Sequence, residues 1–381
     1  VIPRDGSAAR CHDDEVVGLD SAAALIRTAQ TWAHDNLVPF NVSLETTLEC
    51  NIRCIHCYNF DRDEPRARTR HACGVEGAPS EQRRLSTDEL LALIGDLRAA
   101  GCMFLSLTGG EVLTHPDLFA LLERARELNL AVQLLTNGTM LRPGIAGKLA
   151  RFPNLLGASV SLYGATAAVH DAITQVPGSF QRTWDGVERL RAAGVSVRLK
   201  FIVMRQNAHE TEPMMAMATG RDFPYSVDLT ITARHDGTDG SLAARIDGPQ
   251  LESLYRGALR PLLPPGKRPP PPAETFNCNC ARGNCAISAT GEVYPCISVP
   301  WSAGNVRDRP FAKIWRDSPV FQRIRGLTLA DFPKCAPCPH RGHCTHDRGA
   351  AFNATGDYTG ADPFVCETAA LAHRLADESG D

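Results

Sequence analysis

The sequence predicts an α/β fold built on parallel strands, either a sheet covered on both faces or a barrel. Three observations carry this. From Asn41 to about Arg234 short β-rich apolar runs alternate with helical patterns. The helices bring their own start and stop signals. Six strand–helix repeats in succession call for parallel pairing through right-handed crossovers.

The elements follow in order. The first forty residues read as a helical extension, centred on Ser21–His34 and expected to cap the barrel. Strands are expected at Asn41–Thr47, Phe104–Thr108, Ala131–Thr136, Leu155–Leu162, Val195–Met204 and Ser226–Thr232. Ser86 and Glu89 form a capping box, Leu85 is placed as a staple, and Leu90, Leu91, Ile94 and Leu97 make one stripe. Gly101 supplies the left-handed stop. A second helix has Pro116 in its first turn and a stripe of Leu118, Leu121, Leu122 and Ala125. A third runs from Ser179 to about Ala193 with Phe180, Trp184, Val187 and Leu190 on one face. Residues 235–275 read as a polar loop, a short helix and a stiff linker with Pro269 to Pro272 in a row. Residues 276–368 are poor in helical periodicity and rich in Cys, Gly and Pro, so metal clusters are expected there in place of a large apolar core. Residues 369–381 read as a tail.

Composition narrows the class. The chain has 381 residues, 43% of them hydrophobic and 22% charged, with a formal net charge of −3. This fits a globular protein and argues against a nucleic-acid or membrane-surface binder. No apolar run is long enough to span a bilayer and no signal-like core opens the chain, so a cytoplasmic location is expected. Fourteen cysteines are then too many for ordinary thiols. Three lie at 50, 54 and 57, and eight fall between 278 and 366. Short spacings of this kind are what metal sites need. Cys11, Cys73 and Cys102 read as ordinary thiols, Cys102 as part of the core.

Cys50, Cys54 and Cys57 follow directly on the first strand, where parallel α/β folds place their chemistry. Three thiolates on one loop suit a soft metal or an iron–sulfur cluster with one iron open. Zinc prefers four ligands, and His56 between two of the cysteines has poor reach to be the fourth. The second strand ends in Gly109-Gly110-Glu111, which can bring backbone close to a ligand and set a carboxylate against an ammonium group. It also reads as a plain tight turn with a solvated Glu. His170-Asp171 is either a general-base pair or a helix start beside a surface His. Arg66, Arg68, Arg70 and His71 form a basic stretch that would suit an acidic peptide, or simply a solvated loop.

The spacing Cys50-x3-Cys54-x2-Cys57, with Tyr58 next, resembles the signature of the radical S-adenosylmethionine superfamily, and Gly109-Gly110-Glu111 resembles that family's Gly-Gly-Glu motif. Cys278, Cys280, Cys285, Gly291-x4-Cys296, Cys335-x2-Cys338-x5-Cys344 and Cys366 resemble the SPASM extension of its peptide-modifying members. The resemblance implies a partial (β/α)6 TIM-like barrel over 41–234 and a SPASM domain over 276–368. It implies one [4Fe-4S] cluster binding S-adenosylmethionine and two auxiliary clusters. Glu111 would then hold the methionine amino group, Ser161 the carboxylate or ribose, and Val203 would lie near the adenine; Tyr58, Gly109, Gly110 and Asn137 complete the cosubstrate site. Relatives carry Asp where this chain has Tyr163, which leaves the acid or base near the substrate open.

One auxiliary ligand is missing, because Thr345-His346-Asp347-Arg348 stands where the family has a further cysteine. Either Cys278, Cys280, Cys285 and Cys296 complete one cluster together, the version favoured, or Asp347 supplies an oxygen. Cys335, Cys338, Cys344 and Cys366 would hold the other. The implied activity is reductive cleavage of S-adenosylmethionine to a 5′-deoxyadenosyl radical that takes hydrogen from a peptide or protein side chain. A flavodoxin- or ferredoxin-type donor is the expected electron source. The rivals are small-molecule cofactor biosynthesis of tetrapyrrole or quinone type, and a non-enzymatic electron carrier or zinc module.

Overall fold

The computed structural model describes residues 17–59, 83–263, 266, 268–272 and 278–378. Cys11, Cys73 and the 66–71 stretch lie outside them. One sheet organises the chain. Its strands are β1 (Asn41–Glu45), β2 (Phe104–Thr108), β3 (Ala131–Thr136), β4 (Leu155–Leu162), β5 (Val197–Ile202), β6 (Tyr225–Asp228), β7 (Asn284–Ile287) and β8 (Val293–Tyr294). The order is β6-β5-β4-β3-β2-β1-β7-β8, parallel throughout except for the antiparallel β7–β8 pair. The first six strands are the unclosed barrel; β7 and β8, from the cysteine-rich segment, extend it at the β1 edge.

The helices are α1 (Val17–Asp35), α2 (Thr87–Ala99), α3 (Leu118–Glu127), α4 (Pro143–Leu149), α5 (Ala167–Thr174), α6 (Ser179–Ala192), α7 (Thr211–Thr219) and α8 (Gly248–Arg256), then α9 (Phe311–Asp317), α10 (Pro319–Gly326), α11 (Arg348–Thr355) and α12 (Pro363–Asp377). The Ser86–Glu89 capping box forms as the sequence predicts. The buried stripe of α2 is Leu90, Leu93, Ile94 and Leu97, with Leu93 in place of Leu91, and that of α3 is the expected one. Of α1, only Ala33 is buried between residues 24 and 35.

Strand parity positions the site. Val42, Leu44, Leu105, Leu107, Val132, Leu134, Val160, Leu199 and Phe201 face the helices in one apolar core. Ser43, Ser159, Ser161 and Lys200, at alternate positions, line a cavity on the other face. Parallel strands buried on both faces would be apolar throughout; the serines and the lysine mark a face kept open for a ligand.

The C-terminal segment corrects the sequence reading. Phe311, Ile314, Phe321, Ile324, Phe332, Phe352, Phe364, Leu371 and Leu375 are buried there and join the barrel's core. Cysteines do not replace that core. Residue 368 falls inside α12, so the stretch from 369 to 377 is helix and not tail.

Arg307 clasps this segment to the barrel. Its Nε donates to Glu89 Oε1 at 2.8 Å, and its Nη atoms donate to the carbonyls of Arg84 and Thr290. The Arg307 guanidinium and the Ser86 amide bring the Glu89 carboxyl down to about 2 from 4.5. A depressed carboxyl contributes stability above its unfolded value and loses it as pH falls through the folded one. Arg307→Ala is expected to cost about 1 kcal/mol at pH 7, since the pair is partly solvated. The difference from the parent should fade between pH 4.5 and 2, as acid-denaturation curves of the two proteins would check.

Candidate functional site

The cavity at the C-terminal ends of the strands encloses about 300 Å³. Cys50, Cys54 and Cys57, on the loop after β1, all line it. The loop is braced on the barrel: Arg53 and Ile55 N–H donate to the carbonyls of Thr174 and Ile173, and Cys57 N–H donates to Cys54 O. Asn137 Nδ2 lies 3.9 Å from Cys50 Sγ and 3.0 Å from Asn51 Oδ1. Three thiols turned into one cavity are the donor set of an iron–sulfur cluster with one iron left for an external ligand, and the residues present fit that group.

Tyr58, Gly109, Gly110, Asn137 and Ser161 line the same cavity, as the sequence led one to expect. Two residues do not. Val203 is fully buried in the helix-side core, and Ile202, one position earlier, takes the cavity wall. Strand alternation allows only one of the two to face inward. Glu111 is not on the wall either. It is 1% exposed, with Oε1 accepting from Thr136 Oγ1 at 2.6 Å and Leu113 N at 3.1 Å, and Oε2 from Asn137 N at 2.7 Å. The carboxylate shapes the third strand's end and so places Asn137.

The two glycines serve a close approach, but to backbone. A Cβ on Gly109 would lie 2.3 Å from Thr47 O, at φ +146°, and one on Gly110 would lie 2.2 Å from Glu49 O. Gly110 N–H donates to Thr47 O and Glu111 N–H to Glu49 O, so the β2 turn is laid directly on the start of the cysteine loop. Gly110→Ala is expected to cost about 3 kcal/mol or more, because backbone on both sides must move. A thermal melt checks it; a melting temperature within a degree of the parent's would refute the argument.

Other lining residues carried no family signal. His56 Nδ1 and His235 Nε2 are buried without a hydrogen-bond partner, and burial brings both imidazoles down to about 4, so both are neutral at pH 7. His56 packs edge-on against Tyr163, and His235 against Tyr58, whose carbonyl accepts from His235 N–H. Tyr58 Oη donates to the buried carboxyl of Glu45 at 2.9 Å. Lys200 and Asp228 sit 3.9 Å apart across β5 and β6. Ile297, Ser298 and Asp347 close the cavity from the C-terminal segment. His170 and Asp171 are not a base pair: His170 is buried under Tyr163, and Asp171 accepts from Gly178 N, Ser179 Oγ and Phe180 N, ahead of and into α6.

The remaining cysteines divide into two groups. Cys344 lies within electrostatic reach of Cys335 and Cys366, and Cys366 within reach of Cys335 and Cys338. Cys280 lies within electrostatic reach of both Cys278 and Cys296, and Tyr358 Oη lies 3.3 Å from Cys278 Sγ. Cys285 stands opposite Val42 in the β1–β7 register, faces the helix side, and neighbours Cys102. Asp347 accepts from Ala350 N at 2.9 Å as the cap of α11.

Comparison with known proteins agrees with this geometry. Residues 44–218 match the radical SAM superfamily, and residues 278–344 match an iron–sulfur cluster-binding domain, SPASM. The chain is 30% identical over 351 residues to the AdoMet-dependent heme synthase of Methanosarcina barkeri, covering 86% of this chain and 96% of that protein. It is 27% identical to the mycofactocin maturase MftC of Mycobacterium ulcerans, covering 89% and 91%. In fold it is similar to Streptococcus suis SuiB bound to S-adenosylmethionine, with a TM-score of 0.62 at 15% identity over 95% of this chain and 83% of that one. A cysteine loop laid on a glycine turn at the mouth of an open parallel barrel, and full-length relatives on both counts, have one common meaning: this chain is an enzyme of the radical SAM superfamily with a C-terminal SPASM iron–sulfur domain.

Proposed function

We propose that Cys50, Cys54 and Cys57 hold the [4Fe-4S] cluster that reductively cleaves S-adenosylmethionine, and that the resulting 5′-deoxyadenosyl radical takes hydrogen from a peptide or protein side chain. The observation that carries the first half is the convergence of the three thiols, Gly109, Gly110, Asn137 and Ser161 on one cavity. The cluster supplies the electron; the chain's residues orient and enclose. Tyr58, locked by Glu45, fixes the exit of the cysteine loop, and Asn137, held by Glu111, supplies its amide beside Cys50. The electron would come from an external flavodoxin- or ferredoxin-type donor.

Charge favours the peptide. Among the described residues the wall carries Lys200 against Asp228 and Asp347, and its two imidazoles are neutral. Such a wall has no cationic excess for a substrate with several carboxylates. A second reading, side-chain processing of a tetrapyrrole, is favoured by the heme synthase relatives, which match over nearly their whole length. Anaerobically reconstituted enzyme assayed for 5′-deoxyadenosine with dithionite separates them. Stimulation by an encoded precursor peptide, with a mass change in it, supports the first. Carbon dioxide release from a propionate-bearing iron porphyrin supports the second. No 5′-deoxyadenosine under any condition rejects both.

Among the described residues no helix is long and apolar enough to cross a membrane.

A further inference from the structure

We infer that the first auxiliary cluster of this chain is a three-cysteine cluster, held by Cys278, Cys280 and Cys296, with Cys285 outside the site and Tyr358 hydrogen-bonded to the Cys278 sulfur. The inference rests on the reading that the C-terminal domain binds clusters.

Spacing alone puts Cys285 with the other three, but the sheet forbids it. Cys285 lies in the middle of β7, paired with Val42, and its neighbours on β1 in the same face are apolar. Its side chain is 2% exposed, packed near Cys102 and the Arg325 guanidinium on the helix side. To turn it toward Cys278 the strand would have to slip by one residue, which would drive Asn284 into the apolar core and undo the β1–β7 ladder. Cys278, Cys280 and Cys296 are not held in the β1–β7 ladder, since they lie before β7 and after β8, where Cys280 and Cys296 make only isolated bridges to Asn284 and Val299.

Asp347 is also committed elsewhere. One of its oxygens caps α11, and the residue lines the cavity of the first cysteine group, facing Asp228. Tyr358 is a buried polar group that reaches one of the three thiols, that of Cys278. It is 2% exposed, and its hydroxyl is 3.3 Å from Cys278 Sγ, a normal O–H···S length. Hydrogen bonds to ligand sulfurs raise a cluster's reduction potential. Three thiolates on four irons leave the fourth iron to a ligand other than cysteine among the described residues. That iron can then take a small anion from solution.

The test uses the full chain carrying Cys50→Ala, Cys54→Ala and Cys57→Ala, reconstituted anaerobically, so that only the auxiliary clusters remain. It should hold about eight irons. In that background Cys285→Ala, or Cys285→Val to preserve volume, should keep them all, whereas Cys278→Ala, Cys280→Ala or Cys296→Ala should each lose about four. Added cyanide should change the electron paramagnetic resonance spectrum of one of the two reduced clusters. Tyr358→Phe should keep the iron and lower that cluster's midpoint potential. Loss of about four irons from both Cys285 variants, with unchanged melting, overturns the ligand set. So does the same loss on Cys73→Ser or Cys11→Ser, which would supply a fourth thiolate. A spectrum indifferent to cyanide overturns the open iron, and an unchanged potential in Tyr358→Phe overturns its hydrogen bond. A parent that binds no auxiliary iron at all rejects the underlying reading instead.

Discussion

Cys57→Ala should abolish 5′-deoxyadenosine formation, by at least about a thousandfold, while leaving the fold and the auxiliary iron in place. The loop's backbone is held by Arg53 and Ile55 against α5 and not by the thiols, so removing one sulfur leaves its path intact. Cys57 is partly exposed to the cavity, and truncating it empties no apolar core. The chemistry has no such reserve. Two thiolates hold a four-iron cluster poorly, and without the cluster no other group on the wall can deliver an electron. Reconstituted protein should therefore fall from about twelve irons to about eight. Cys102→Ala is the control: its thiol is fully buried beside Phe104 O, so the substitution should lower the melting temperature and leave iron and cleavage unchanged. If Cys57→Ala still produced 5′-deoxyadenosine at the parental rate, the assignment of the first cluster would be wrong.

Much of this site was legible because its signals are local. The cysteine loop, the glycine pair and the Ser86–Glu89 box are each a few residues long, and each needs only its own spacing to be read. What failed were readings that depend on which face of an element a residue occupies. Val203 and Ile202 are equally apolar, and the residue names do not say which one the strand turns inward. Cys285 poses the same question with larger consequence: metal spacing and strand parity compete for it, and the register of the seven parallel strands favours parity. The apolar core of the C-terminal segment was missed for another reason. Its helices are short, α9 and α10 having seven and eight residues, so the 3.6-residue period has no room to repeat before a Pro or Gly interrupts it. Asp347 and Ser298 reached the barrel's cavity from far along the chain, and no local pattern announces such a contact.

Glu111→Ala should destabilise the protein by about 3–6 kcal/mol and stop S-adenosylmethionine cleavage in whatever protein still folds. The carboxylate is buried and accepts three hydrogen bonds, from Thr136, Leu113 and Asn137. Alanine leaves three donors unpaired, those of Thr136 and Asn137 buried and that of Leu113 partly so, each costing about 1–3 kcal/mol, and a cavity besides. Burial pushes the Glu111 carboxyl up while the three donors pull it back. All three partners donate, which requires an acceptor on both oxygens and so favours the ionised form. Glu111→Gln separates structure from charge. Its size is the same, but one oxygen becomes an amide nitrogen that can only donate, and it must face either Asn137 N–H or the Thr136–Leu113 pair. Facing Asn137, it pushes that residue from Cys50, and cleavage falls with a stability loss of about 2 kcal/mol. If instead Glu111 gripped the cosubstrate's amino group directly, Glu111→Gln would raise the apparent dissociation constant for S-adenosylmethionine with the melting temperature of the unliganded protein unchanged. Paired measurements of melting and cosubstrate binding on the one variant therefore decide between a carboxylate that builds the wall and one that touches the ligand.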